Sequence, residues 1–296
     1  MIAAKLAGVP HRLHTIAGLP LLEAKGAKRW LLDTVEKITY ACATKIYPNS
    51  YGLNEIVLKN KYTKNSKLKV IGNGSSNGID IEHFSLKKLN QEKVNTLKNN
   101  LNIQNEDIVF TFVGRLVADK GINELISAFK KICATYNNIK LLLVGTFESE
   151  LDPLQKETLA EIKTNSNILS VGWQTDVRPY FAVSDALVFP SYREGFPNVV
   201  MQAGAMSLPS IVTDINGCNE IIAHNINGII IPPKNEYKLY EAILEMVENS
   251  EKREQMANIS RAVICKSYKR EVIWGALLQE YKDLEKHVHN HTKALI

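Results

Sequence analysis

Cysteine is scarce and scattered. Cys42, Cys133, Cys218 and Cys265 form no C-x-x-C pair and have no histidine at metal-ligand spacing, which argues against a disulfide framework or a zinc site. A reducing, cytoplasmic compartment is the expectation. Long hydrophobic runs are also missing: no stretch of about 18 uncharged apolar residues occurs, so no segment reads as a membrane-spanning helix. Met1 to Pro10 lacks the apolar core and small-residue cleavage site of a secretory signal. No G-x-G-x-x-G follows a strand pattern, which argues against a dinucleotide oxidoreductase. His287, His289 and His291 alternate near the C-terminus, yet they read as a solvated tail, and no metal is expected.

What is present is an ordinary globular composition, 45% hydrophobic and 23% charged over 296 residues, enough for one or two domains with a large core. Net charge is +5, unevenly spread. Residues 1–70 hold 12 Lys or Arg against 4 Asp or Glu, and the rest hold 24 against 27. A basic front can serve nucleic acid, anionic lipid or a phosphorylated acceptor, or be a solvated surface; charge alone does not choose.

Residues 1–8 read as the end of a helix and Arg12 to Ile16 as a strand. Gly26 to Thr44 places Trp30, Leu31, Val35, Ile38 and Ala41 at amphipathic helical spacing. A strand (Lys45 to Pro48), a helix (Ser50 to Lys59) and another strand (Lys67 to Ile71) are expected next. The turn-rich segment Gly72 to Gly78, G-N-G-S-S-N-G, reads as a bend between domains. Beyond it, short β-rich runs at Ile108 to Val113, Lys140 to Val144, Ile168 to Val171, Ala186 to Phe189 and Ser210 to Val212 alternate with helical patterns. That alternation implies parallel strands with crossover helices, a doubly wound α/β sheet with ligands at the carboxyl ends of its strands. A last long helix is expected over Lys266 to Lys286.

Three loops could carry chemistry. Gly114-Arg115-Leu116-Val117-Ala118-Asp119-Lys120-Gly121 lies after a strand and before a helix. There a glycine turn, a helix N-terminus and two basic side chains can flank a phosphate. Arg and Lys in such a loop are more often plain surface charge. Pro190-Ser191-Tyr192-Arg193-Glu194-Gly195-Phe196-Pro197-Asn198 is more specific. Glu194 sits in the loop, Gly195 allows close backbone approach, and Pro197 suits the first turn of a helix over Val199 to Met206. Gln202 lies one turn beyond Asn198, so Glu194 and Gln202 can point into one cleft. The third, Thr213-Asp214-Ile215-Asn216-Gly217-Cys218-Asn219-Glu220, is a polar turn leading into another helix.

In this order and spacing, G-R-L-x-x-D-K-G, W-Q-T-D-V, S-D-A-L-V-F-P-S-Y-R-E-G-F-P-N-V-V-M-Q-A, T-D-I-N-G-C-N-E-I-I and N-G-I-I-I-P-P resemble glycosyltransferase family 4 across Gly72 to Pro233. The resemblance implies the GT-B fold, two Rossmann-like domains, and retaining transfer of a hexose or N-acetylhexosamine from a nucleotide diphosphate sugar without a required metal. A UDP-sugar is the expected donor, and no other cofactor is implied. The segment G-N-G-S-S-N-G-I-D-I-E-H-F is similar to relatives that extend surface or capsular polysaccharide on a polyprenyl diphosphate carrier. A glycan or lipid-linked acceptor and the inner membrane leaflet are therefore the implied partners, with Lys25, Lys28, Arg29 and Trp30 facing the lipid, and no nucleic acid.

Carried onto this sequence, the family pattern implies that Arg115 and Lys120 bind the donor diphosphate beside Gly114, Glu194 contacts the donor sugar, Gly195, Phe196, Pro197 and Asn198 present backbone donors, and Trp173 lies near the base. Arg115, Lys120 and Glu194 would be the catalytic set. Gln202 stands where the family's second glutamate holds the ribose, which implies a weaker or altered nucleotide grip. The implied domains are a partial acceptor-binding domain over 1–78, a donor-binding domain over 79–265, and a C-terminal helix and tail over 266–296 packing back toward the first domain. Each half of this fold needs about 150 residues, so the first strands and helices of the N-terminal domain are expected to be absent. A non-catalytic nucleotide-sugar-binding protein is the alternative.

Overall fold

The structure, a computed structural model, describes residues 1–19, 21, 24–148, 150 and 152–293, with side chains described up to residue 286. The chain divides into two compact units: residues 1–78 with 267–296, and residues 79–266.

The first unit opens with α1 (Ile2–Leu6), β1 (Leu13–Ile16), α2 (Gly26–Cys42), β2 (Lys45–Pro48) and α3 (Tyr51–Lys59). β1 and β2 pair in parallel from Leu13↔Lys45 to Ile16↔Pro48. Ile16, Tyr40, Ile46, Leu53 and Val57 bury their side chains between this ribbon and its helices, each such burial contributing about 1.5–3 kcal/mol. Ser50 starts α3 because its hydroxyl accepts from the Leu53 amide at 3.1 Å. The strand expected over Lys67 to Ile71 is not formed. A 3-10 turn at Asn65–Lys67 precedes a single bridge between Ile46 and Leu68. The turn commits the amides of Lys67 and Leu68 to the carbonyls of Lys64 (3.1 Å) and Asn65 (3.0 Å), away from any ladder, while the Lys67 ammonium donates to the carbonyls of Tyr40 (3.0 Å) and Ala43 (2.7 Å) at the end of α2.

The second unit runs α4 (Gln91–Asn100), β3 (Ile108–Val113), α5 (Ile122–Cys133), β4 (Ile139–Val144), α6 (Lys156–Thr164), β5 (Ile168–Gly172), α7 (Arg178–Ala182), β6 (Ala186–Phe189), α8 (Asn198–Ala205), β7 (Ser210–Thr213), α9 (Cys218–Ile221), β8 (Gly228–Ile231), α10 (Glu236–Glu248) and α11 (Ser250–Ser267). Its sheet is parallel, in the order β5-β4-β3-β6-β7-β8. The expected doubly wound sheet is present, extended by β8, which lies within the N-G-I-I-I-P-P motif. Strands buried on both faces read as continuous apolar runs, and β3, β4 and β6 do. α5 turns Ile122, Leu125, Ile126, Phe129 and Ile132 inward at helical spacing.

Strand order reverses between β3 and β6, which opens a crevice at their carboxyl ends. Asp185 fixes that junction: its carboxylate accepts from the Val109 amide at 2.8 Å and its own amide donates to the Val109 carbonyl at 2.7 Å. Burial pushes the Asp185 carboxyl up, and the Val109 hydrogen bond pulls against that shift.

The expected final helix over Lys266 to Lys286 is present, with both ends shifted later. α11 ends at Ser267 and α12 (Arg270–Lys293) follows in the first unit. There Glu280, 5% exposed, accepts from the Tyr47 hydroxyl at 3.1 Å and pairs with Lys69. The side chains of His287, His289 and His291 lie outside the described residues. Among the described residues no helix is long and apolar enough to cross a membrane.

Candidate functional site

The loops after β3, β6 and β7 leave adjacent strands of one sheet, so topology alone makes the three sequence motifs neighbours. Hydrogen bonds then lock them together. In the first loop a 3-10 turn, Ala118–Lys120, leads through Gly121 into α5. Gly121 has φ +71°, and a Cβ there would sit 2.2 Å from the Pro190 carbonyl oxygen. Only glycine allows this approach of the β3 and β6 loops. The Tyr192 amide donates to the Asp119 carbonyl at 2.9 Å, and the Asp119 carboxylate pairs with Arg193 at 2.9 Å. The third loop packs on the second. Thr213 donates its hydroxyl to the Ser191 carbonyl and Asn216 its side-chain amide to the Glu194 carbonyl.

Within this frame Lys120 and Glu194 form an ion pair, Nζ to Oε1 at 2.5 Å, with side chains only 14% and 16% exposed. The Ser191 hydroxyl donates to the same Glu194 oxygen at 2.8 Å. Cys218, at the start of α9, is fully enclosed, and burial followed by the nearby Glu194 charge pushes its thiol well up. Phe196 and Pro197 are buried, Gly195 is half-buried, and Asn198 is exposed. Pro197 stands one position earlier than expected, at the N-cap of α8, and Asn198 opens the helix. Neither α5 nor α8 has a side-chain cap at its N-terminus. Gln202 is half-buried one turn into α8.

Arg115 lies to the other side. Its guanidinium pairs with Glu148 at 2.9 Å, and that hydrogen bond raises its already high pKa. Gly114, Arg115, Trp173 and Gln174 line a pocket of about 270 Å³ at the ends of β3, β4 and β5, with Trp173 68% exposed. The expected residues thus fall into two groups. Gly114, Arg115 and Trp173 share the pocket, while Lys120, Glu194, Gly195, Phe196 and Pro197 share the loop junction. Leu116 to Gly121 is the main chain that joins them.

Reasoning from sequence assigned no role to Asp119, Ser191, Arg193, Glu148 or Asp152, yet these hold the loops. Asp152 accepts from the Asp119 amide at 2.6 Å. Asp119, Ser191 and Arg193 sit inside the motifs and could have been named from them; Glu148 and Asp152 lie in a loop with no local signal. Asp119 Oδ1 and Arg193 Nε are buried without a hydrogen-bond partner. His14 is half-buried in the first unit with its ring 5.5 Å from that of Tyr40, and burial depresses its pKa. Among the described residues no group of three or more His, Cys, Asp or Glu is placed to hold a metal ion.

Comparison with known proteins bears on this arrangement. The family model for glycosyl transferases group 1 matches residues 93–263. The chain is 33% identical over 282 residues to the capsular polysaccharide biosynthesis glycosyltransferase CapM of Staphylococcus aureus, covering 95% of this chain and 72% of that protein. It is 29% identical over 257 residues to the UDP-Gal:alpha-D-GlcNAc-diphosphoundecaprenol alpha-1,3-galactosyltransferase of Escherichia coli, covering 84% of this chain and 63% of that one. The crystal structure of Anabaena HepE in complex with UDP superposes with a TM-score of 0.80 at 19% identity, over 96% of this chain and 74% of HepE. The fold is therefore that of the GT-B glycosyltransferases, and the chain belongs to the group 1 glycosyltransferase family.

Proposed function

We propose that the second unit binds a nucleotide diphosphate sugar and that the protein transfers its hexose or N-acetylhexosamine to a glycan or polyprenyl-diphosphate-linked acceptor in polysaccharide assembly. The observation that carries this reading is that Arg115, Lys120, Glu194 and an uncapped α8 N-terminus all sit on the loops that leave the carboxyl ends of β3 and β6, where strand order reverses. Arg115 and Lys120 meet the diphosphate charge and stabilise it as the nucleotide departs. Glu194 and the backbone of Gly195 to Asn198 hold the sugar, Gln202 accepts from or donates to the ribose, and Trp173 stacks near the base. A UDP donor fits the UDP-Gal for which the Escherichia coli relative is named and the UDP bound in HepE.

With two cations supplying the charge compensation, no metal is assigned a role. The test is transfer from UDP-hexoses to a polyprenyl-diphosphate-linked N-acetylhexosamine, with and without EDTA. Transfer that survives EDTA is expected, and its abolition would contradict a metal-free site. UDP-sugar binding without turnover on this or any glycan acceptor would instead favour a binding protein.

The acceptor chemistry also suggests attachment to a cytoplasmic membrane face. On α2, Trp30, Leu31, Val35 and Ile38 are 45–70% exposed, with exposed Lys25, Lys28 and Lys37 nearby. Arg29 does not join them: its guanidinium is taken by Asp33, the Leu21 carbonyl and Tyr62. Co-sedimentation with vesicles should rise with the anionic lipid fraction and fall in a Trp30→Ser, Leu31→Ser variant; indifference to both sinks the attachment.

A further inference from the structure

The turn-rich Gly72 to Gly78 segment has no part in the site above, and in the structure it lines a pocket of about 320 Å³ within the first unit. Its walls are the carboxyl ends of β1 and β2, this turn, and α12. That places it where a parallel α/β sheet collects ligands, and its size is at the small end of ligand pockets, about 300–1,000 Å³.

Its chemistry is selective. Thr15, Asn49, Ser75, Ser76 and Asn77 supply hydroxyls and amides, Leu277 and Tyr281 supply apolar and aromatic surface, and none of the described residues lining it is charged. Tyr47 also lines it, but its hydroxyl is committed to Glu280. A phosphate, nucleotide or uronate would find no cation there. A neutral, hydroxyl-rich ring with an apolar face matches every wall.

Asn49 points to a missing partner. It is 7% exposed, and its side-chain Oδ1 is buried without a hydrogen bond. Its Nδ2 makes only a 3.5 Å contact to the Ala17 carbonyl, while its backbone amide and carbonyl are satisfied by Ile16 and Ser75. A buried acceptor in that state is destabilising until a donor arrives. Ser75 adds a second sign. It is a buried non-glycine residue with φ +67°, held there as its hydroxyl accepts from the Gly78 amide at 3.1 Å, and strain of this kind collects at binding sites.

We infer that the pocket formed by β1, β2, the 72–78 turn and α12 is a carbohydrate site that takes one neutral sugar residue, whose hydroxyl or amide donates to Asn49. Naming that sugar as part of the acceptor rests on the proposed transferase function; binding of the sugar does not.

The experiment is saturation-transfer NMR on the full chain with the methyl glycosides of glucose, galactose and N-acetylglucosamine, and methyl glucuronide as the charged control. Each is run with and without saturating UDP, and UDP affinity is titrated in parallel. At least one neutral glycoside should bind whether or not UDP is present. Asn49→Ala should weaken it about two- to tenfold. Ser76→Trp, a change at an exposed residue on the rim, should abolish it. UDP affinity should not move in either variant. Silence from every neutral glycoside, equal binding in Ser76→Trp and the parent chain, loss of binding on adding UDP, or glucuronide bound as tightly overturns the inference. Absence of UDP binding with a glycoside signal that still responds to Ser76→Trp would defeat the donor-site reading and leave this pocket standing.

Discussion

Lys120 and Glu194 are already paired at 2.5 Å, mostly shielded from water, before any phosphate arrives. The cation assigned to the diphosphate thus holds an internal carboxylate, and a donor must take its place. Glu194→Gln frees that charge. UDP is expected to bind the variant about three- to tenfold more tightly while sugar transfer falls by about 10²-fold or more. Calorimetric titration and a transfer assay on the same preparation check both. Weaker UDP binding in Glu194→Gln would mean that the carboxylate supports the nucleotide rather than competing with it. The pair could not be anticipated from sequence, because residues 120 and 194 meet only through the parallel pairing of β3 with β6.

At the scale of elements, the site depends on loops being pressed together, and Gly121 is the tightest junction between the first two. An alanine there adds a left-handed backbone cost of about 1–2 kcal/mol and also drives a methyl into the Pro190 carbonyl. Gly8 has the same φ, +71°, with nothing within 4 Å of an added Cβ. Gly121→Ala should therefore lower Tm by about 6–12 °C, corresponding to ~3 kcal/mol, and Gly8→Ala by clearly less. Equal shifts in thermal denaturation would show that strain alone matters. The strands and their carboxyl-end loops were legible because doubly buried strands are continuous apolar runs closed by Gly or Pro, as at Ile108 to Gly114 and Ala186 to Pro190. The failed strand at Lys67 to Ile71 was not, since its alternation looked regular and only the fold shows the amides of Lys67 and Leu68 taken by a 3-10 turn. The start of α12 was legible to within four residues, although no Gly or Pro lies between Ser267 and Arg270 to mark it.

At the scale of the molecule, each unit has its own chemistry. The second carries the motifs that match the group 1 family, with cations and helix N-termini at the strand-order reversal. The first carries an uncharged, hydroxyl-lined pocket and an exposed apolar helix face. The α/β class was legible in the alternation of apolar runs with helical patterns, and the placement of Arg115, Lys120 and Glu194 in strand-end loops in the motifs themselves; their roles came from the family resemblance. The division of the site into an Arg115–Trp173 pocket and a Lys120–Glu194 junction arises only in the fold, because the loop after β4 that anchors Arg115 and Asp119 carries no pattern of its own. The central claim is that these groups form one nucleoside diphosphate site. It is tested most directly by titrating UDP into the purified chain and into Arg115→Ala and Lys120→Ala, with circular dichroism to confirm folding. The prediction is a Kd on the order of 10–100 μM, weakened at least about tenfold by each substitution. Absence of binding, or binding that neither substitution disturbs, would contradict it.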